Sequence, residues 1–466
     1  MRVRKMKTLG QPAIPSLLLF LLLGHMAILT PMLQRAWIDE FWIVNYGKNV
    51  FGETEIHPRA TLTWGGAWLA ALFHDALPGI LGQRWLSWLS TICMVVAGAW
   101  LGRTLRLHRS ATLWFLVLLL LSPEVRFEGY AGRVDNLAMM WVFLALGQTH
   151  LTLTSSPRNG WWAGAFAVIA IWTWITAVMP LMALAGFAIR HDRRVVWSGL
   201  WRAAVGGCLA ALGILLLAPS YASDGFVVLW EQFNWRWVEN RPDSSSGPPQ
   251  WSRHLKSLVL VAGIVVLGAA RGLRMGRQRT LVLFDVLLVV VGLWLTVRTH
   301  LYHGRIVYWV FLAVAVGLRQ WAEPRQAGRK ISGTRALQFL AGFALCMGAW
   351  QAPAAFFSLR YALRKPPIEQ MLETRIKWLR VKPNDRVAVF EREYGPVVAL
   401  AGATPWMHSL PETPPENTDL VIGLPFGTAS LPTTWIEAGF EEVVWPEEIQ
   451  STRAFQPLPR TWQRQH

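Results

Sequence analysis

Three cysteines in 466 residues leave no disulfide framework and no Cys-rich metal array. Acidic residues are scarce: 28 Asp+Glu stand against 45 Lys+Arg, giving a formal net charge of +17. Charged residues make up only 16% of the chain, below the roughly 25% of an ordinary soluble domain. No HExxH or CxxC stretch occurs, which removes the commonest zinc signatures. What fills the chain instead is apolar: 53% of residues, with 28 tryptophans and a mean hydropathy of +0.31. Disorder requires low hydrophobicity and is excluded.

The apolar residues come in long runs, so dividing the length into soluble domains is the wrong reading. Runs fall at about 13–33, 84–101, 111–122, 134–151, 161–177, 178–189, 203–219, 256–270, 280–297, 305–318 and 335–353. A spanning helix needs roughly 20 mostly apolar residues. The pattern therefore predicts an α-helical polytopic membrane protein with about eleven crossings. The stretch from Thr61 to Leu81 is apolar but carries His74 and Asp75, and reads as an interfacial or re-entrant segment. Basic clusters lie at the N-terminus (Arg2, Arg4, Lys5, Lys7) and around 103–109, 190–202, 271–279 and 319–335. These fall on alternate loops if 61–81 does not cross, which places the N-terminus in the cytoplasm. The basicity is thus a topology signal, and nucleic acid is not an expected partner. Cys93, Cys208 and Cys346 lie in apolar runs and read as packing residues; many tryptophans stand at run ends, as interfacial belts do.

An odd number of crossings puts the C-terminal tail outside. Residues 1–355 then form the membrane domain, with a first external loop at 34–83, and 356–466 form a small extracytoplasmic α/β domain. In the tail, RVAVFE (386–391), DLVIGLP (419–425) and EEVVW read as short strands, and YGPVVALAGA and PTTWIEAGF as helical. The tail holds no glycine-rich phosphate loop and no nucleophile elbow.

Candidate chemistry sits in three external segments. In the first loop, Asp39 and Glu40 are bracketed by Trp37, Phe41 and Trp42; they either mark the membrane exit on the outer side or serve as a general base, since such an environment can raise a carboxylate toward that range. Lys48, His57, Pro58 and Arg59 follow, cations suited to holding a phosphate or simply lipid headgroups. The second segment, SPEVRFEGYAGRVDNLAMMW, crowds Glu124, Arg126, Glu128, Arg133 and Asp135 at a helix end, where Arg133 and Asp135 either pair structurally or serve the site. The third, RTHLYHGRIVYW, brings Arg298, His300, Tyr302, His303, Arg305 and Tyr308 to one helix start, where the dipole favours an anion. The histidines are scattered, and a divalent ion on Asp39 and Glu40 ranks below a metal-free, cofactor-free site.

In this order the segments resemble the GT-C superfamily of polytopic glycosyltransferases, in the branch of protein O-mannosyltransferases and lipid A aminoarabinose transferase. The resemblance rests on Asp39-Glu40, on Gly52 with His57-Pro58-Arg59, and on Arg84-Trp85-Leu86-Ser87. It continues through Ala131-Gly132-Arg133-Val134-Asp135 to Arg305-Ile306 with Tyr308. Arg59 stands where a second Pro is common, and Ile306 replaces the Tyr of an R-Y motif. The resemblance implies a polyprenyl-phosphate-linked sugar donor and an acceptor that is a glycan, a lipid or a protein. It implies Asp39 as the base that deprotonates the acceptor, attack at the anomeric carbon with inversion, and Glu40 orienting the acceptor. His57, Arg59 and Arg305 become phosphate clamps, with Lys48, Arg133, Asp135, His303 and Tyr308 as further binding residues. The bacterial inner membrane, with an extracytoplasmic C-terminal domain, is the implied location. The competing class is a lipid or polysaccharide transporter or flippase. Inverted-repeat transporters place ionisable residues near the bilayer midplane, whereas here the runs are nearly free of charge, Asp285 excepted.

Overall fold

The computed structural model of the chain describes residues 13–32, 64–76, 80–189, 191–217, 251–274, 279–297, 303–322, 334–350, 377–389, 398, 403–406, 412–415, 418–424, 430–445, 447 and 460–464. Every apolar run of the sequence is helical. In order they are α1 (Ala13–Met32), α2 (Trp64–Ala76), α3 (Ile80–Thr104), α4 (Arg109–Leu121), α5 (Pro123–Glu128), α6 (Asp135–Thr154) and α7 (Gly160–Thr173). A broken helical segment follows as α8 (Ile175–Phe187). Then come α9 (Arg193–Leu217), α10 (Trp251–Arg274), α11 (Arg279–Val297), α12 (His303–Trp321) and α13 (Thr334–Trp350).

Six of these, α1, α3, α6, α9, α10 and α11, are long and apolar enough to cross a membrane. The expectation of about eleven crossings thus meets six helices of full spanning length among the described residues, with α4, α7, α8 and α13 shorter and the apolar part of α12 confined to Ile306–Trp321. The reason is local. Helix α4 is confined between His108, whose ring accepts from the Ser110 N–H, and Pro123, which opens α5. Its 13 residues rise only about 20 Å, short of the roughly 30 Å hydrocarbon core. Helix α7 stops where Trp174 turns extended. The apolar stretch at 61–81 contributes α2, packed against α3 and α7.

Helices α4 and α12 form the centre of the bundle. Phe115–Leu120 and Val307–Val314 are almost wholly buried, a helix surface apolar all round because it has protein all round. Helices α1, α9, α11 and α13 instead expose large apolar residues such as Phe20, Leu216, Leu283 and Phe339, as a lipid-facing surface does. The closest helix contact is between α7 and α9. Gly160 and Gly164 on α7 face Gly199, Ala203 and Gly207 on α9, and a Cβ on Gly164 would collide with the Ala203 carbonyl. Small residues four apart let two backbones approach where no hydrophobic effect drives them together.

The tail forms a five-stranded sheet of β1 (Arg386–Val389), β2 (Thr404–Trp406), β3 (Thr418–Ile422), β4 (Phe440–Glu442) and β5 (Thr461–Arg464), in the order β2-β1-β3-β5-β4. Strands β2, β1 and β3 are parallel, and β5 and β4 are antiparallel to their neighbours. One short helix, α14 (Thr433–Glu437), covers it through Trp435, which is fully buried against Phe440. The strand expected at EEVVW starts earlier, at Phe440. The helix expected at YGPVVALAGA lies almost entirely outside the described residues. Strands β2 and β5 were not expected. The first contains Pro405 and is tolerable only at a sheet edge, where it sits.

Candidate active site

The polar centre of the bundle is built on the turn between α5 and α6. Gly132 takes φ 70°, a left-handed conformation suited to glycine. Its carbonyl accepts from Gln83 Nε2, and the Arg133 carbonyl accepts from Ser87 Oγ, so two residues of α3 hold the turn in place. Asp135 then opens α6, where a carboxylate is favoured by the helix dipole. Arg133 Nε pairs with Asp135 Oδ2 at 2.9 Å and also with Glu128 Oε2. The guanidinium lies 5.3 Å over the Trp174 ring, at the break between α7 and α8. Tyr308 of α12 is fully buried with its phenol in interaction range of Asp135, Glu128 and Arg133.

Two carboxylates, one guanidinium and a phenol thus converge with 2% exposure or less. Buried charge is costly unless paired, and a buried ionisable cluster at a membrane helix end is a candidate functional site. Of the two readings open for Arg133 and Asp135, the structure shows the pair; it also shows Glu128 as a second partner and Tyr308 beside them. Tyr308 was expected near this site and is brought there.

The first loop is tethered to the same place at both ends. The Thr30 carbonyl near the end of α1 accepts from Arg84 Nη1 at 3.5 Å, one residue from Gln83. At the start of α2, a Cβ on Gly66 would meet Val134 Cγ2 at 2.5 Å. Asp39, Glu40, Lys48, His57 and Arg59 lie between these anchors, outside the described residues. His303 and Arg305 occupy the first turn of α12, with Tyr308 one turn further on; their side chains are outside the described set.

A second cluster escaped the sequence reading in part. Glu124, on α5, accepts from Ser122 Oγ at 2.9 Å, from Ser257 Oγ, and pairs with His254 Nδ1 at 2.8 Å. Burial alone pushes the Glu124 carboxyl up, but the bonds from His254, Ser257 and Ser122 outweigh it and hold it below its ordinary value. Arg126 and Lys256 lie in range of this carboxylate. Glu124 and Arg126 stood out in the sequence. His254, Lys256 and Ser257 did not, because WSRHLKS reads as the ordinary polar entry to an apolar run. A third buried pair, Arg319–Asp285, lies at the other end of α12, with Arg319 Nη1 donating to the Ala183 carbonyl of α8. Among the described residues no group of three or more His, Cys, Asp and Glu is placed to hold a metal ion.

No protein-family model matches the chain, and no curated protein sequence matches it. Among solved structures, ArnT from Cupriavidus metallidurans bound to undecaprenyl phosphate aligns at TM-score 0.54 and 12% identity, over 97% of this chain and 96% of that one. The apo state of ArnT aligns at 15% identity and TM-score 0.44, and there the chain spans 64% of its own length and 59% of that chain. At 12% identity the likeness is one of fold: the chain folds as this ArnT structure does.

Proposed function

We propose that this protein is an inverting glycosyltransferase that moves a sugar from a polyprenyl-phosphate donor to an acceptor outside the cytoplasm. The observation that carries the reading is the fold shared over 97% of the chain with an ArnT structure that holds undecaprenyl phosphate. The acceptor is a glycan, a lipid or a protein. In this reading residues 1–355 are the catalytic membrane domain of an inner-membrane protein, and 356–466 a soluble extracytoplasmic domain.

Asp39 is the general base. It takes the proton of the acceptor hydroxyl, whose oxygen attacks the anomeric carbon as the carbon–phosphate oxygen bond breaks. Polyprenyl phosphate leaves with the bonding pair. Glu40 orients the acceptor. Lys48, His57, Arg59, His303 and Arg305 offset the charge developing on the phosphate, since displacement of a phosphate needs cations at the leaving oxygen. The contacts Arg84–Thr30 and Gly66–Val134 support this assignment, because they bring the flanking helices α1 and α2 close to the turn that carries Arg133 and Asp135. With Arg133 locked between two carboxylates, its fitting role is positioning: it fixes the turn and the start of α6 on which the site is framed.

The test is consumption of purified polyprenyl-phosphate sugars by detergent-solubilised protein, wild type beside Asp39→Asn. The expected result is donor turnover, including slow hydrolysis without acceptor, that disappears in the variant while expression and thermal stability are retained. Near-normal turnover in Asp39→Asn overturns the general-base assignment. No turnover by well-folded wild type with any donor overturns the glycosyltransferase reading and moves the question to lipid translocation in vesicles.

A further inference from the structure

The tail carries an open groove of about 360 Å³ that the membrane chemistry does not use. On one side lies the helical turn ending at Arg380, with Lys377 and Trp378; on the other lie Val444 and Trp445, just past β4, and Gln463 of β5. Trp378 is 36% exposed and Val444 85%, an unusual amount of apolar surface for so small a sheet. Lys377 and Arg380 are both exposed at the rim, and no ion pair to either is formed among the described residues.

Arg380 adds an independent sign. Its φ of 52° lies in the left-handed region, where the turn closed by its N–H on the Lys377 carbonyl would favour glycine. A long cation held at a glycine position, at the lip of a groove, is local strain of the kind that gathers at ligand sites.

Size and chemistry select the ligand. The volume falls within the roughly 300–1,000 Å³ of small-molecule sites. Indole faces suit the C–H faces of a sugar ring, Gln463 suits hydroxyls, and the two cations suit an acidic substituent. We propose that this groove binds a negatively charged saccharide, with its rings against Trp378 and Trp445 and its carboxylate or phosphate on Lys377 and Arg380. Under the glycosyltransferase reading, on which this purpose rests, the groove holds part of the acceptor; binding itself does not depend on that reading.

The experiment is calorimetric titration of the full-length protein in phosphatidylcholine nanodiscs, which contribute no anionic headgroups. The probes are trigalacturonate, neutral maltotriose and hexaglutamate. Trigalacturonate is expected to bind saturably, about tenfold more tightly than either other probe. Trp378→Ala is expected to weaken it about fivefold or more, as loss of an aromatic platform does. Arg380→Gly is expected to weaken trigalacturonate but not maltotriose, while melting at or above the wild-type temperature, which a purely structural arginine would not do. Absence of saturable binding, equal binding of hexaglutamate, or unchanged affinity in Trp378→Ala overturns the proposal. Protein that consumes donor but binds no trigalacturonate refutes this groove alone; protein that binds it and consumes no donor refutes only the transferase reading.

Discussion

Glu124→Ala is the perturbation whose size the structure defines best. The carboxylate is 2% exposed and accepts from Ser122 and Ser257 while pairing with His254. In soluble proteins a hydrogen bond to a charged group contributes about 1.5–3 kcal/mol, whereas between membrane helices the mean is nearer 0.6 kcal/mol. The two serines are 3.0 Å apart and satisfy each other once the carboxylate is gone, so His254 is the partner left exposed to the loss. Assigning about 2 kcal/mol to the His254 contact and about 0.6 kcal/mol to each hydroxyl gives a destabilisation of about 3 kcal/mol. At roughly 2 °C per kcal/mol for a large chain, the thermal midpoint in detergent falls by on the order of 6 °C.

The same site has a pH signature. Its folded-state pKa is depressed below the ordinary carboxylate value, so the stabilisation is present above that value and is lost as the pH falls through the folded pKa. Wild type is expected to lose stability below about pH 4.5, the ordinary glutamate value, more steeply than Glu124→Gln, which keeps one acceptor oxygen and no titrating group. A Glu124→Ala midpoint within about 1 °C of wild type, some 0.5 kcal/mol by the same conversion, refutes the reasoning.

Three further outcomes are expected. Gly164→Ala forces α7 from α9 and costs about 1–3 kcal/mol, while Gly342→Ala, with open space around its Cβ position, is neutral or slightly stabilising; paired melting curves check both. Ser87→Ala strips the Arg133 carbonyl of its buried donor and costs about 1–3 kcal/mol, and Ser87→Thr, measured by the same melts, restores most of it. Asp285→Ala and Arg319→Ala each leave a buried charge without its mate and cost about 3–5 kcal/mol, whereas Asp285→Leu with Arg319→Met recovers most of the loss in a double-mutant cycle.

The helices were legible because apolar runs and helices in a bilayer are nearly the same object, and each run is largely helical over its described residues. Their lengths were not, because what shortens α4 and α7 is a proline start and a tryptophan turned extended, and neither changes the hydropathy of the run. In the tail, strands β1 and β3 were legible as continuous buried runs, while β5, mostly polar (TWQR), and β2, three residues with a proline, carry no such signal. At the site, Arg133, Asp135 and Tyr308 stood out as polar residues where apolar ones belong. Ser87 was quoted only within a motif, and residue 83 only as the end of the first external loop; the part of Gln83 and Ser87 in holding the α5–α6 turn depends on a contact nearly fifty residues away. The same distance hides His254 and Ser257, whose partner Glu124 lies some 130 residues earlier.

Helix α12 separates the two classes of function most sharply. Tyr308 joins the Glu128–Arg133–Asp135 cluster at one end, and Arg319 joins Asp285 at the other. Eleven residues at 1.5 Å each put these about 16 Å apart along the axis, and everything from Trp309 to Leu318 between them is apolar and buried. An inverted-repeat carrier would need its ionisable residues in that middle stretch, on discontinuous helices whose freed backbone groups face the substrate. The chain does have a discontinuous helix in α8, but its Ala183 carbonyl is already occupied by Arg319, and the contact sits at the end of α12, not at its centre. A helix held by an ion pair at one end, set against a buried polar cluster through Tyr308 at the other and packed all round between them suits a fixed frame better than a moving gate. Under the proposed transferase reading, the end of α12 that carries Tyr308 beside Glu128, Arg133 and Asp135 is the one to test for chemistry.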